Sequence, residues 1–202
     1  MSDILVVTNR ALCQEDFYTR LELVAKAKPA GIILREKDLS PGEYKTLSEK
    51  ALEICARHDV PCVLHTFWQV AQELGVDKLH MPLPLLRQMG TGERKRFSTL
   101  GASCHSAEDA LEAQALGCTY ITAGHVFATD CKQGLPGRGL DFLRSVCQSV
   151  DIPVYAIGGI GPENIDAVRQ TGAVGACVMS AAMTCSDPAA LFARPGLFRG
   201  QL

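Results

Sequence analysis

The stretch Ile152-Pro153-Val154-Tyr155-Ala156-Ile157-Gly158-Gly159-Ile160 runs from a short apolar strand directly into a pair of glycines. Further along the chain, a second apolar run, Gly175 to Val178, leads into Met179 and Ser180. Consecutive parallel strands that end in glycine and small residues leave backbone N–H groups able to hold a phosphate. This pair therefore predicts adjacent parallel strands and a phosphorylated small-molecule ligand.

Similar apolar runs recur along the chain, with amphipathic stretches between them that are long enough for helices. Runs that are apolar throughout, without alternation, indicate strands buried on both faces. The predicted strands are Ile4 to Thr8, Gly31 to Leu34, Cys62 to Leu64, Lys78 to Met81, Thr99 to Ala102, Tyr120 to Ala123, Val154 to Ile157 and Gly175 to Val178. These repeats predict an α/β fold, a closed (β/α)8 TIM barrel, and an open doubly wound sheet is the alternative.

Helix start signals lie between several of these strands. Ser40-Pro41 precedes a helical stretch from Glu43 to Arg57, and Ser106 opens another that ends at Leu116. A short helix is predicted from Trp68 to Leu74. The segment from His125 to Gly139 is rich in glycine and proline and predicts a mobile loop after the sixth strand.

The composition indicates one globular domain over residues 1–202, since the chain is 47% hydrophobic and contains no linker-like stretch. Its net charge of −2, with both signs interspersed, gives no basis for a nucleic-acid partner or an anionic membrane. No signal peptide or membrane span is predicted. Nine cysteines, an odd number without a CxxC pair, suit reduced thiols, so we expect a cytoplasmic protein.

In a barrel of this type the reactive face lies at the carboxyl ends of the strands. The predicted phosphate contacts are therefore at the ends of the last two strands, with N–H donors from the start of a short helix at Ser180. The alternative is that the glycines only permit a tight turn. The four residues predicted to contact phosphate are Gly158, Gly159, Ser180 and Ala181.

Arg35 and Lys37 follow the second strand and flank Glu36. Two cations at this position can hold an anionic group of a substrate. A solvated charge cluster in a loop is the alternative, and the spacing alone does not separate the two.

His125 directly follows the sixth strand and precedes the predicted mobile loop. An imidazole that titrates near neutral pH can take a proton from one atom and return it to another. His65, His80 and His105 could lie on the same rim, which raises the alternative of a zinc site. None of them shows the close spacing that characterises metal ligands, so no metal is predicted.

With these residues in view, the chain resembles the thiamine-phosphate synthase superfamily of small (β/α)8 barrels that act on thiazole phosphates. The resemblance extends from about the second strand to the last helix. The segments that carry it are Gly31 to Lys37, Gly101 to Ser106, Gly124 to Lys132 and Ile152 to Ile160.

Within the superfamily, the resemblance implies that synthases hold a pyrimidine diphosphate through magnesium, with an Asn-Asp pair after the third strand and an acid after the fourth. This chain has His65-Thr66 at the first place and His80 to Pro84 at the second, with no carboxylate at either. The segment Gly124 to Lys132 is similar to the TenI-type thiazole tautomerase branch. The predicted activity is therefore that of an isomerase that aromatises a carboxythiazole phosphate tautomer.

That branch implies a catalytic role for His125, which would shuttle one proton between two carbon atoms without a metal or organic cofactor. It also implies that Arg35 and Lys37 contact either the carboxylate or transient negative charge, and that Ser103 and Met179 line the pocket. The partner would be a small phosphorylated thiazole, and a homodimer is expected. Two alternatives stay open, a thiamine-phosphate synthase and a non-catalytic regulatory protein that binds a phosphorylated ligand.

Overall fold

The computed structural model describes residues 3–129 and 134–192. Its parallel strands follow one another in chain order as a closed barrel, β1 to β8. The strands are β1 (Ile4–Val7), β2 (Gly31–Leu34), β3 (Cys62–His65), β4 (Lys78–Pro82), β5 (Thr99–Cys104), β6 (Tyr120–Gly124), β7 (Val154–Ile157) and β8 (Gly175–Val178). The prediction of a (β/α)8 TIM barrel is confirmed, and the open doubly wound sheet was wrong.

Helices alternate with these strands. They are α1 (Phe17–Lys26), α2 (Pro41–Arg57), α3 (Trp68–Glu73), α4 (Leu83–Leu86), α5 (Thr91–Arg94), α6 (Ala107–Ala115), α7 (Gly139–Ser149), α8 (Ile165–Arg169), α9 (Ser180–Thr184) and α10 (Pro188–Phe192). None of the helices in the described ranges is both long and apolar enough to cross a bilayer.

Helix α2 shows how local sequence sets these boundaries. The Ser40 hydroxyl accepts a hydrogen bond from the Glu43 N–H, and the Glu43 carboxylate accepts one from the Ser40 N–H. This reciprocal capping box, with Pro41 in the first turn, places the helix start where the sequence predicted it. The Ser106 hydroxyl caps α6 by accepting a hydrogen bond from the Asp109 N–H.

The described chain divides into two compact units. The first contains residues 3–80 and 178–192, and the second contains residues 81–129 and 134–177. In the first unit, β2 pairs with β1 and β3, and His65 of β3 is in register with His80 of β4. In the second unit, β6 pairs with β5 and β7, and Gly124 is in register with Ile157.

Each unit has a core formed by its strands. β1, β2, β3, β6 and β8 are buried along their whole length, which confirms the interpretation of continuous apolar runs as strands covered on both faces. In the second unit, the rings of Tyr120 and Tyr155 meet edge to face with centroids 5.9 Å apart.

Several strands extend past their predicted ends. β3 continues to His65, β5 to Cys104 and β6 to Gly124, because ladder hydrogen bonds continue regardless of side-chain polarity. Residues 125–129 and 134–138 form no helix or strand, as predicted for the loop after β6. Residues 130–133, which include Cys131, lie outside the described residues.

Candidate functional site

A buried carboxylate organises the carboxyl ends of β1 and β2. Glu36 is only 2% exposed, and its Oε1 accepts a hydrogen bond from the Thr8 hydroxyl at 2.7 Å. Both carboxylate oxygens accept from the Arg10 backbone N–H at 3.1 Å, and Oε2 also accepts from the Arg10 guanidinium at 3.2 Å. The Thr8 hydroxyl in turn accepts from the Arg35 N–H at 2.9 Å. This network fixes the position of the Arg35 backbone.

Arg35 and Lys37 flank this buried residue. Arg35 is half-buried and Lys37 is exposed, whereas Glu36 between them is buried, so the segment alternates in burial. The positive charges of both residues act on His65 at the end of β3, where they contribute to lowering the pKa of its imidazole. The cations that the sequence singled out therefore act electrostatically on a second rim residue. Their contact with an anionic substrate stays a prediction.

His65 and His80 form a stacked pair at the ends of β3 and β4. Their ring centroids are 5.7 Å apart with an interplanar angle of 17°, and both residues are buried. Burial lowers the pKa of His80 to about 3. Burial, the neighbouring His80, and the cations Arg35 and Lys37 hold the pKa of His65 well below its usual value. Both imidazoles are consequently neutral near pH 7.

Tyr44 and Thr66 hold His65 in this position. The buried Tyr44 hydroxyl donates a hydrogen bond to the Leu34 carbonyl at 2.6 Å and accepts one from the His65 N–H at 2.8 Å. The Thr66 hydroxyl lies 2.7 Å from Nδ1 of His65. Thr66 has φ of 69°, a left-handed conformation that is rare for a β-branched residue and concentrates at functional sites.

Magnesium, which the resemblance implies for synthases, does not fit the residues at these strand ends. A Mg²⁺ ion takes oxygen ligands, usually including one or two carboxylates. The side chains found here are two neutral imidazoles beside two cations. Within residues 3–129 and 134–192, no group of three or more His, Cys, Asp or Glu side chains could hold a metal ion.

In the second unit, His125 follows β6 and is 6% exposed. Its Nε2 lies 2.9 Å from the Pro136 carbonyl oxygen. Because a carbonyl can only accept, this contact places a ring hydrogen on Nε2, and in the tautomer with that single hydrogen Nδ1 is an acceptor. Nδ1 is buried and has no hydrogen-bond partner among the described residues. A buried acceptor without a hydrogen bond destabilises the folded protein unless a ligand or a conformational change supplies a donor.

Gly158 and Gly159 allow the loop after β6 to approach closely. Their φ angles are 102° and 64°. A Cβ at Gly158 would lie 2.6 Å from Cβ of His125, and one at Gly159 would lie 2.4 Å from the Ala128 carbonyl oxygen. Both glycines are therefore required for packing and turn geometry. The sequence analysis raised such a tight turn as the alternative to a phosphate contact. Their contact with phosphate stays a prediction.

The remaining predicted site residues are distributed over both units. Ser103 is half-buried in β5, in register with Thr122. In the first unit, Met179 is half-buried and precedes α9, and Ser180 and Ala181 are exposed in its first turn. Their ligand contacts also stay predictions.

His105 lies beside the strand that carries His125. Its Nδ1 is 2.6 Å from the Gly124 carbonyl oxygen, so it donates to the end of β6. The Asp109 carboxylate accepts from the His105 N–H at 2.8 Å. His105 therefore supports the backbone next to His125.

The sequence did not predict the roles of Glu36 and Tyr44. Glu36 was read only as part of a charge cluster, and Tyr44 as part of an amphipathic helix. A detectable signal for Glu36 was its position between two cations immediately after a strand, where alternation turns every second side chain inward.

The family model described as thiamine monophosphate synthase matches residues 4–182. The chain is 35% identical over 193 residues to a thiamine-phosphate synthase of Syntrophomonas wolfei, covering 91% of this chain and 90% of the relative. It is 30% identical to thiamine-phosphate synthase 2 of Streptococcus pneumoniae, covering 91% and 89%.

Among solved structures, a thiamine phosphate pyrophosphorylase from Pyrococcus furiosus matches with a TM-score of 0.79 and 28% identity. The match covers 94% of this chain and 91% of that chain. The sequence of this protein therefore resembles the relatives over nearly their whole length.

These relatives overturn the prediction of an isomerase. They carry the name of a synthase, and the tautomerase branch inferred from Gly124 to Lys132 finds no support among them. A thiamine-phosphate synthase, one of the alternatives that the sequence left open, fits the comparisons better than an isomerase does.

Proposed function

The chain belongs to the thiamine monophosphate synthase family, and on this premise we propose that it is a transferase that joins a pyrimidine diphosphate to a phosphorylated thiazole. In the proposed reaction the carbon–oxygen bond to diphosphate breaks, and the thiazole phosphate takes up the pyrimidine group. The observation that carries the proposal is similarity to named thiamine-phosphate synthases over about nine-tenths of both chains.

The proposed phosphate contacts are Gly158 and Gly159 in the second unit, and Ser180 and Ala181 in the first. Small residues support this assignment because no side chain prevents a phosphate from approaching the backbone. Ser103 in the second unit and Met179 in the first are both half-buried, and each is proposed to contact the ligand.

Arg35 and Lys37 are proposed to hold the leaving diphosphate. When the carbon–oxygen bond breaks, the electron pair stays on the diphosphate oxygen, so negative charge grows on the leaving group. Fixed cations placed where charge develops stabilise a transition state more than they stabilise the bound substrate. The Thr8 and Glu36 network supports this role because it fixes the backbone of Arg35 before the substrate binds.

His125 is proposed as the catalytic residue that contacts the substrate, in a role that differs from the proton shuttle predicted from the sequence. Its Nε2 donates to the Pro136 carbonyl, and its buried Nδ1 has no partner among the described residues. A ligand donor that reaches Nδ1 would satisfy this atom and orient the bound substrate for transfer.

A second candidate function is a ligand-binding member of the family that holds a phosphorylated thiazole without transferring any group. The observation that favours it is the neutral pair His65 and His80 at the strand ends where synthases are implied to carry acids. A barrel of this type does not by itself imply catalysis.

The two functions are separated by incubating the purified protein with thiazole phosphate and pyrimidine diphosphate, with and without Mg²⁺, and analysing products by mass spectrometry. The transferase is supported by thiamine phosphate that appears in proportion to the enzyme. Tight binding of thiazole phosphate in calorimetry, with no thiamine phosphate under either condition, would support the ligand-binding candidate and reject the transferase.

A further inference from the structure

The backbone of His105, just before α6, is held by the first turn of that helix. The Asp109 carboxylate accepts a hydrogen bond from the His105 N–H at 2.8 Å, and the Asp109 N–H donates to the Ser106 hydroxyl at 3.0 Å. The same carboxylate lies 4.0 Å from the guanidinium of Arg87, which also forms a bidentate pair with Glu112, at 2.7 Å for each contact. His105 is therefore tied to α6 independently of its ring.

The ring of His105 reaches across to the neighbouring strand. Cys104 of β5 is in register with Ala123 of β6, so His105 and Gly124 are the next residues along two paired strands. Nδ1 of His105 lies 2.6 Å from the Gly124 carbonyl oxygen. Since a carbonyl can only accept, the imidazole donates this hydrogen bond. His105 thus connects the start of α6 to the end of β6.

The Gly124 carbonyl belongs to the peptide unit that leads into His125. Because the atoms of a peptide unit lie close to one plane, a hydrogen bond that fixes this oxygen also fixes the direction in which the His125 backbone leaves β6. The following peptide unit is held by a main-chain hydrogen bond, from the Arg138 N–H to the His125 carbonyl at 3.0 Å. The contact from His105 is made by a side chain, so a substitution can remove it while that main-chain hydrogen bond stays in place.

The ring of His125 depends on this backbone for its orientation. Its Nε2 is bonded to the Pro136 carbonyl, whereas its buried Nδ1 has no hydrogen-bond partner in the part of the chain that the structure describes. The direction in which Nδ1 points is therefore set by where the backbone places the ring. A displacement of about 1 Å in a group that orients a substrate can lower a reaction rate by about a hundredfold.

We propose that His105 is a positioning residue for the transfer reaction and that it acts through His125. Its imidazole donates to the Gly124 carbonyl, and this hydrogen bond keeps Nδ1 of His125 in the place where the substrate meets it. His105 forms no bond to the substrate in this role. The role rests on the proposed function, because the rate that it affects is that of the transfer reaction.

The kinetic test compares His105→Ala with His105→Asn, because the asparagine amide can place a donor close to the position of Nδ1. His105→Ala should lower kcat for thiamine phosphate formation about tenfold or more, with KM changed less than about twofold. His105→Asn should restore kcat to within about threefold of the wild type. The control His58→Ala removes a histidine that contacts Glu22 on the outer face of α1 and α2, and it should leave kcat unchanged. Equal losses in His105→Ala and His105→Asn would overturn the proposed donor role.

A double-mutant cycle tests whether His105 acts through His125. In a protein that already carries His125→Asn, the further change His105→Ala should lower kcat/KM by less than about twofold, because the group that His105 positions is gone. Losses that multiply in the double variant would show that His105 acts independently of His125, and they would overturn the proposal. Circular dichroism melting of each variant separates a loss of the site from a loss of the fold.

Nitrogen-15 NMR of histidine-labelled protein tests the same contact without any reaction. At about pH 8.5, above the ordinary pKa of histidine, the wild type and His105→Asn should show one tautomer of His125 with its hydrogen on Nε2. His105→Ala should show a mixture of tautomers, and the signal that is missing in His125→Asn identifies the residue. Identical His125 signals in the wild type and His105→Ala would overturn the positioning role. A wild-type protein that forms no thiamine phosphate would reject the transferase, and these spectra would still decide whether His105 positions His125.

Discussion

Both carboxylate oxygens of Glu36 accept a hydrogen bond from the backbone N–H of Arg10, at 3.1 Å each. This contact joins the segment after β2 to the segment after β1, while the next residue on either side of Glu36 is a cation. One buried acid thus organises a rim that presents positive charge. The arrangement explains how a short loop can hold the backbone of Arg35 in a fixed place.

Glu36→Gln should therefore lower the free energy of unfolding by about 1–3 kcal/mol, because an amide replaces a charged acceptor that serves three donor groups. Urea denaturation of both proteins measures the difference. Asp38→Asn is the matched control, since Asp38 is an exposed partner of the same arginine and its loss should have a smaller effect. Equal losses in the two variants would show that burial of Glu36 has no special role.

Tyr44→Phe should destabilise the fold by about 1–3 kcal/mol, since the His65 N–H and the Leu34 carbonyl would lose the same buried partner. The change in urea midpoint measures this loss. Tyr18→Phe serves as the control, because Tyr18 is only half-buried. If Tyr44→Phe is no less stable than Tyr18→Phe, the proposed tie between β2 and β3 is wrong.

The lowered pKa of His80 predicts that the folded protein loses stability in acid. Its folded pKa of about 3 lies below the unfolded value near 6.5, so the unfolded state binds more protons between these values. Its contribution to stability is present above pH 6.5 and is lost as the pH falls towards 3. By pH 5 the loss should be roughly 2 kcal/mol.

Urea midpoints measured from pH 7.5 to 4.5 test this expectation. His80→Gln should flatten the decline, whatever its stability at pH 7.5, whereas His58→Gln changes a histidine that contacts the half-exposed Glu22 on the outer face of α1 and α2. An unchanged slope in His80→Gln would mean that His80 does not stay neutral in the folded protein.

Gly158→Ala should lower the free energy of unfolding by more than the usual cost of placing alanine at a positive φ. The new Cβ would lie 2.6 Å from Cβ of His125, so the loop after β6 must move. Gly117→Ala is the control, because Gly117 has a φ of 93° and no atom within 4 Å of the added Cβ. The control should lose about 1 kcal/mol. Thermal melts that show equal losses would contradict the close packing of Gly158 on His125.

The sequence predicted most of the strands and the start of α2, because continuous apolar runs and a Ser-Pro cap are local signals. It missed the function of Glu36, since only the fold shows that Thr8 and Arg10 come within reach of that carboxylate. The stacking of His65 on His80 depends on strand register, which spacing along the chain does not fix. The phosphate contact of Gly158 and Gly159 stays a prediction, and the packing of Gly158 against His125 could be seen only in the coordinates.

The assignment of the chain to the tautomerase branch of the family was the larger error. The absence of acids after β3 and β4 was read as evidence for an isomerase, while similarity over the whole chain favours a synthase. A missing ligand set excludes one way of binding a metal ion. It does not exclude the transfer reaction, since cations such as Arg35 can also neutralise a leaving diphosphate.

His125→Asn should lower kcat/KM for thiamine phosphate formation at least tenfold, because the buried acceptor Nδ1 and the contact with Pro136 are both lost. Steady-state kinetics measure this effect. Diphosphate affinity should stay within twofold, since that site is assigned to other residues. An unchanged kcat/KM in His125→Asn would show that His125 has no part in the proposed reaction.

Phosphorus NMR of the wild-type protein with thiazole phosphate and pyrimidine diphosphate tests the transferase most directly, because both products are followed in one sample. The account predicts that inorganic diphosphate and thiamine phosphate grow together in equal amounts as pyrimidine diphosphate disappears. A spectrum in which pyrimidine diphosphate persists, with or without Mg²⁺, while thiazole phosphate is bound would contradict it.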